Sequence, residues 1–468
     1  MAVMTKTRTE RDSLGAIEVP AEAYWGAQTA RALANFPISG LRPHPALVQA
    51  TVLLKKAAAL AHAERGDLDR RIADAIVTAC DEILGGALRD QFVVDPYQAG
   101  AGTSHHMNVN EVVASRANEL LGGPRTPGGE VHPNDHVNKA QSTNDVFPSA
   151  MRIAALEQAQ PLLTAMDGLA DSLEEKARAF HDVIKSGRTH LQDATPIRLG
   201  QEFSGYASMV DHGLRRLQSV RAHLAELALG GTAVGTGINT HPEFARRTIA
   251  RIAEATGLPF REAENHFEAQ GSRDAVVEAS GQLRTVATSL MKIANDIRWL
   301  GSGPRCGIGE ILIPPTQPGS SIMPGKVNPV MSEMLMMVCA QVIGNDTAIA
   351  VSNTHGNFEL NVMMPVMAHN LLQSIEILAN GVATFTERCV RGIEANRERC
   401  EALIEGSLAM VTSLVPRLGY DTAAEIAKEA YATGRTVRQL ILERGLLSEE
   451  ETARLLDPRR MTEPGRAE

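Results

Sequence analysis

The chain has 468 residues, of which 44% are apolar and only 4% aromatic, and it carries a formal net charge of −9. That length exceeds one ordinary core, so two or three domains are expected, and the acidic balance excludes a basic nucleic-acid-binding surface. The cysteines Cys80, Cys306, Cys339, Cys389 and Cys400 never fall in CxxC spacing, which excludes a disulfide framework or zinc ribbon and points to a reducing, cytoplasmic setting.

In chain order, the segment from Met1 to Glu18 mixes Lys6, Arg8 and Arg11 with Glu10 and Asp12 and lacks an apolar stretch, unlike a signal or transit peptide. Residues 1–140 read as a mixed, mainly helical first domain. It holds one helix from Pro45 to about Ala63, another from Leu68 to Leu84, and a Gly- and Pro-rich loop from Gly122 to Asp135. Residues 141–395 read as a central bundle of long helices. The first spans Met151–Lys185, with Pro161 inside it. The second follows Phe203, Tyr206, Val210, Leu214, Leu217, Val220, Leu224 and Leu227, steps of three and four that predict a helix from Leu199 about 40 Å long. Further helices are predicted over Arg273–Leu300, Val330 to about Ser352, and Val362–Arg391. Residues 396–468 read as a small helical domain ending near Leu456, then a loose tail. No uninterrupted apolar run of about 18 residues occurs, so no membrane partner is expected. A core of Ala, Leu, Val, Ile and Met suits close-packed helices, and the fold class is mainly α.

Chemistry concentrates in five polar segments. The loop Gly319-Ser320-Ser321-Ile322-Met323-Pro324-Gly325-Lys326-Val327-Asn328-Pro329 sets two hydroxyls, a cation and an amide among residues that restrict or free the backbone. The others are Gly100 to Asn108, His132 to Asp145, Ser186 to Asp193, and Gly230 to Gly237. Each alone is ordinary turn chemistry. Together they set hydroxyls and amides at helix ends, where free N–H groups attract carboxylates. The His105-His106 pair has no carboxylate or Cys at ligand spacing, so no metal or other cofactor is expected.

These segments, in order and spacing, resemble the fumarase/aspartase superfamily over roughly residues 5–455. The resemblance implies a three-domain fold with a central long-helix bundle, and a homotetramer with a twenty-helix core whose active sites are each shared by three chains. It implies Ser320 as the base that removes a proton beside a carboxylate. Lys326 and Asn328, with Thr189, Ser321 and Val327, would bind the doubly charged aci-carboxylate that results. Ala101, Gly102, Thr103, Ser142, Thr143 and Asn144 would hold the other carboxylate and the leaving-group side. His190, paired with Glu333, would position or protonate the leaving group. His132, Pro133, Asn134 and Asp135 match a second dicarboxylate site.

The GKVNP form of the loop leaves two branches, fumarate hydratases and aspartate ammonia-lyases. Trp25 to Thr29, Phe267-Glu268-Ala269, Ser302 to Ile311 and Gly356 to Val362 resemble the hydratases. Ala101, Thr143, Gln91 to Ser104 and Met461 to Gly465 lean to the ammonia-lyases. The balance implies hydration of fumarate to (S)-malate, a step of the tricarboxylic acid cycle, with ammonia release from L-aspartate as the alternative. An inactive helical scaffold or a dicarboxylate-binding protein is the alternative of another class. The joint presence of Ser320, His190, Lys326 and Glu333 argues against it.

Overall fold

A computed structural model describes residues 6–465; the first five residues of the N-terminal segment and the last three of the tail lie outside them. The chain divides into two compact units, each assembled from segments distant in sequence. The first runs to Leu163 and adds Arg215–Ala287 and Ala340–Ala379; the second comprises Thr164–Leu214, Thr288–Cys339 and the chain from Asn380.

The first unit opens with an antiparallel hairpin, Thr7–Asp12 against Gly15–Pro20. The Arg8 guanidinium donates to the carbonyls of Ala23 at 2.7 Å and Trp25 at 2.8 Å, anchoring the hairpin to the turn that follows. Helix Pro45–Arg65 starts with proline at its first position, its His44 cap accepting from the Ala46 N–H, and stops at Gly66 with φ +78°. Asp69 caps helix Arg70–Leu84 by accepting from Arg71 N and Ile72 N at 2.9 and 3.3 Å. Val48, Val52, Ile76, Ala79 and Ile83 share one core with Val109, Val112 and Val113 of helix Thr103–Leu120. The core is mainly aliphatic, with Phe92 buried in it and Tyr24 and Trp25 packed against it.

Long helices span Thr143–Ala179, Leu199–Ser219, Asp274–Leu300, Val330–Asn353 and Met364–Arg388. Helix Val330–Asn353 has a mean hydropathy of 1.5 in its most apolar window, enough on average to cross a membrane. Its polar side chains are nevertheless engaged by neighbouring helices. Asp346 accepts from Ser280 Oγ at 2.7 Å and pairs with Arg284 at 2.9 Å, and the Asn345 amide donates to Gln373 and Ser374 at 3.0 Å. This is the bonding of a bundle helix. In the second unit, helices Arg397–Glu405, Tyr420–Thr433, Val437–Glu443 and Glu449–Leu455 enclose Leu414, Ile426, Leu440 and Ile441. Capping boxes at Thr436/Gln439 and Ser448/Glu451 start the last two helices.

Three expectations fail locally. The helix from Leu199 ends at Ser219 rather than near Leu227; a separate helical turn, Arg221–Leu224, follows, and Glu226–Leu227 then pairs in parallel with Arg261–Glu262, with Arg261 on the Ala222 carbonyl at 2.8 Å. The helix expected to reach Lys185 ends at Ala179, and an antiparallel hairpin, Ile184–Thr189 with Gln192–Arg198, follows it. A bulge at Gly187 breaks the pairing register there, and a Cβ at Gly187 would sit 2.6 Å from the Thr195 carbonyl oxygen. The expected loose tail is docked as far as Glu463. Thr462 is buried and bound by Arg198 and Gln201 at 3.0 and 2.9 Å, and Arg198 also pairs with Glu463.

Candidate active site

In the first unit the predicted residues sit at helix starts. Gly102, at φ +86°, caps helix Thr103–Leu120, and a Cβ there would stand 2.1 Å from the Phe147 ring. This close approach places Ala101 and Gly102 beneath an exposed Thr103. Ser142, Thr143 and Asn144 open the 37-residue helix that follows. The Ser142 hydroxyl accepts from Asn144 N at 3.2 Å, and Asn144 Nδ2 donates to the Ala233 carbonyl at 2.8 Å. Buried Asp145 gathers the backbone N–H groups of Ser142, Gly230 and Thr232 at 2.9, 2.9 and 3.0 Å. It thereby joins the Gly230–Gly237 loop to the helix start. Burial raises its pKa from the ordinary carboxyl value, while these donors hold the ionised form.

His132 Nδ1 accepts from Asn134 N and Asp135 N at 3.3 and 3.2 Å, closing a turn that begins at Pro133. His132, Pro133, Asn134 and Thr103 line one cavity of about 580 Å³, whose lining does not include Ser142, Thr143 or Asn144. Three charged groups of its wall are already matched: Arg31 binds Asp12 through two nitrogens at 2.7 and 2.9 Å, and Glu111 accepts from Gly26, Gln28 and Thr29.

In the second unit, Thr189 and His190 lie at the tip of the Ile184–Arg198 hairpin. His190 and Leu191 form its two-residue turn with φ +56° and +59°, left-handed at both positions as a type I′ turn requires, with neither residue a glycine. Beneath the tip, buried Glu310 accepts from Arg188 at 2.8 and 3.1 Å and lies 3.3 Å from the Lys185 ammonium. The loop of Ser320 is closed by Gly319 N on the Lys326 carbonyl at 2.8 Å and by Asn328 Nδ2 on the Gly319 carbonyl at 2.5 Å. Within it, Ser320 Oγ accepts from Ile322 N at 3.3 Å and Met323 N at 3.0 Å. Donors so placed also stabilise the oxygen once it carries charge. Ser321, Lys326 and Val327 lie exposed on the same loop, and Glu333 lies in the first turn of helix Val330–Asn353. Among the described residues, no hydrogen bond or ion pair of the chain joins His190 to Glu333, or either to Ser320.

Sequence reasoning passed over Lys55 and considered His106 only as a metal ligand. Lys55 is wholly buried, its Nζ against His106, Asn138 and Gln141, and His106 Nδ1 lies 2.7 Å from Thr143 Oγ1. The signal was available. Lys55 shares the helical stripe of Val48, Val52 and Ala59, and a lysine on an apolar stripe needs a partner.

Residues 15–344 match the family model described as lyase, and residues 410–463 match that of the fumarase C C-terminus. A class II fumarate hydratase of Nitrosomonas europaea is 54% identical over 461 residues, spanning 98% of this chain and 100% of the relative. One from Neisseria meningitidis is 53% identical over 98% of this chain and 99% of its own. The crystal structure of recombinant class II fumarase from Schistosoma mansoni superposes with a TM-score of 0.94 at 40% identity, covering 98% of this chain and 100% of that one. With both family models in register and likeness running from end to end, the chain belongs to the fumarase/aspartase superfamily of lyases and, within it, to the class II fumarate hydratases.

Proposed function

We propose that the protein is a lyase that reversibly hydrates fumarate to (S)-malate through an aci-carboxylate. The observation that carries this reading is the pair of backbone N–H groups on Ser320 Oγ. A free serine hydroxyl is too weak an acid to serve as a base, and such donors favour its alkoxide. Ser320 takes the proton beside one carboxylate; Lys326 and Asn328, with Thr189, Ser321 and Val327, hold the negative charge that develops. Ala101 and Gly102 shape the turn from which Thr103, with Ser142, Thr143 and Asn144, holds the other carboxylate. His190 and Glu333 act on the leaving water, and His132 to Asp135 form a second dicarboxylate site. Ala101 and Thr143 lean to the ammonia-lyases, but the hydratase likeness extends over the whole chain.

Shared sites are part of the proposal. His190 and Glu333 are not bonded within one chain, and Met337, 68% exposed, leaves an apolar side of helix Val330–Asn353 uncovered. Both features support a homotetramer in which three chains build each site, and a three-domain division at about 140 and 395 fits it. The cysteines are free, which suits a reducing cytoplasm. Two assays test the reaction: ultraviolet absorbance of the double bond formed from malate, and ammonia release from L-aspartate. The reading is abandoned if malate is untouched and ammonia appears.

A further inference from the structure

Lys55 Nζ has three polar neighbours: Asn138 Oδ1 at 2.9 Å, Gln141 Oε1 at 2.8 Å and His106 Nε2 at 2.5 Å. The amide orientations are set independently of the lysine. Asn138 Nδ2 donates to the Gln141 carbonyl at 3.1 Å, and Gln141 Nε2 donates to the Val137 and Lys139 carbonyls at 3.2 Å. Both amide oxygens therefore face Lys55, and since they only accept, two of its N–H bonds point at them. The third meets His106 Nε2. An imidazole that accepts at Nε2 carries its proton on Nδ1 and donates it to Thr143 Oγ1, 2.7 Å away. The oxygen of Thr143 is thus occupied as an acceptor on the protein side, and its own hydrogen is left for the open side, where the residue is only half-buried.

The charge on His106 agrees with this direction. Burial holds His106 well below the usual histidine value, so the ring is neutral. Lys55 runs the other way: burial drives its proton affinity well below the usual lysine value, and the ammonium that the relay requires is supported against this by the Asp145 carboxylate and the two amide oxygens. Cys80 and His105, also near Lys55, are kept neutral by burial, the Cys80 thiol pushed up to about 12 and the His105 ring lowered to about 3.

We propose that Lys55 is a positioning residue that acts through His106 to fix the Thr143 hydroxyl as a one-way hydrogen-bond donor toward the substrate. The inference rests on the reading above, in which Thr143 faces the substrate. A fixed donor suits the carboxylate oxygen that Thr143 is assigned to hold.

The test compares T143V, K55M, H106L and H106N in initial-rate assays with malate, alongside nitrogen-15 spectra of histidine-labelled protein, the His106 signals being assigned by their loss in H106L. Losing one donor to a charged acceptor should raise KM about tenfold in T143V, with kcat far less affected. K55M and H106L should raise KM by a similar factor. H106N, whose amide nitrogen can stand where Nδ1 stood, should recover most of the affinity that H106L loses. T143V combined with K55M should be no worse than T143V alone. The wild-type spectrum should show His106 protonated at Nδ1 and bare at Nε2. The reverse tautomer overturns the proposal even if K55M does not fold. It is also overturned if T143V weakens binding while K55M and H106L do not. If T143V itself leaves KM unchanged, the substrate role of Thr143 fails, and with it the proposal. The spectrum then tells whether the lysine–histidine link stands on its own.

Discussion

Replacing Glu310 by glutamine keeps the side chain's shape and one acceptor oxygen but removes a charge that faces two cations. Glu310 is 0% exposed, and its carboxylate takes two Arg188 donors at 2.8 and 3.1 Å. Lys185, 1% exposed, lies 3.3 Å away and cannot turn to water; Glu202 at 3.3 Å and the Ser186 carbonyl at 3.0 Å are its remaining partners. Breaking a buried ion pair from one side costs roughly 3–5 kcal/mol. Because Glu202 still balances Lys185, the lower end, about 3 kcal/mol, is expected for Glu310→Gln. Urea unfolding followed by circular dichroism should show the first transition moved to lower urea at unchanged slope. The hairpin anchored by Glu310 carries Thr189 and His190, so kcat should fall at temperatures where the variant is fully folded. Arg188→Met alone and with Glu310→Gln completes a cycle whose coupling should reach about 2 kcal/mol. An E310Q curve that overlays wild type, or two effects that simply add, refutes the anchoring role.

Ser320→Ala should lower kcat by about 10²–10⁴ with KM nearly unchanged, whereas Lys326→Ala should worsen both, since its charge meets ground state and transition state alike; near-normal kcat in S320A rules out the base. Inactive His190→Ala and Ser320→Ala proteins, refolded together, should regain part of the wild-type activity if sites are shared between chains, and mixed tetramers that stay inactive exclude sharing. Burial, with the Lys55 charge beside it, lowers the His105 pKa from 6.5 to about 3. The unfolded chain then binds a proton that the folded one refuses, so this contribution is complete above pH 6.5 and is lost as pH falls toward 3. The loss is about 1.4 kcal/mol per pH unit, and His105→Gln should flatten the stability profile between pH 6 and 4 by that amount; an unchanged slope refutes the assignment.

Sequence alone determined the helical class, most helix boundaries to within a few residues, and the segments to which the chemistry is assigned. These follow from local causes. Apolar steps of three and four mark the helix from Leu199, and the glycines and prolines of the 319–329 loop forbid a helix there. Where local pattern met a non-local partner, it lost. The apolar period ran on past Ser219, but Glu226–Leu227 pairs with Arg261–Glu262, some thirty-five residues later, and the run cannot stay helical to Leu227. Thr462 read as tail because its partners, Arg198 and Gln201, lie more than 250 residues away. The same holds for chemistry. Lys55, His106 and Thr143 span almost ninety residues of sequence, and only the packed core sets them in one hydrogen-bonded line. Tertiary structure decides such relays because a buried ammonium must find its partners in three dimensions, and no periodicity in the chain records which residues they will be.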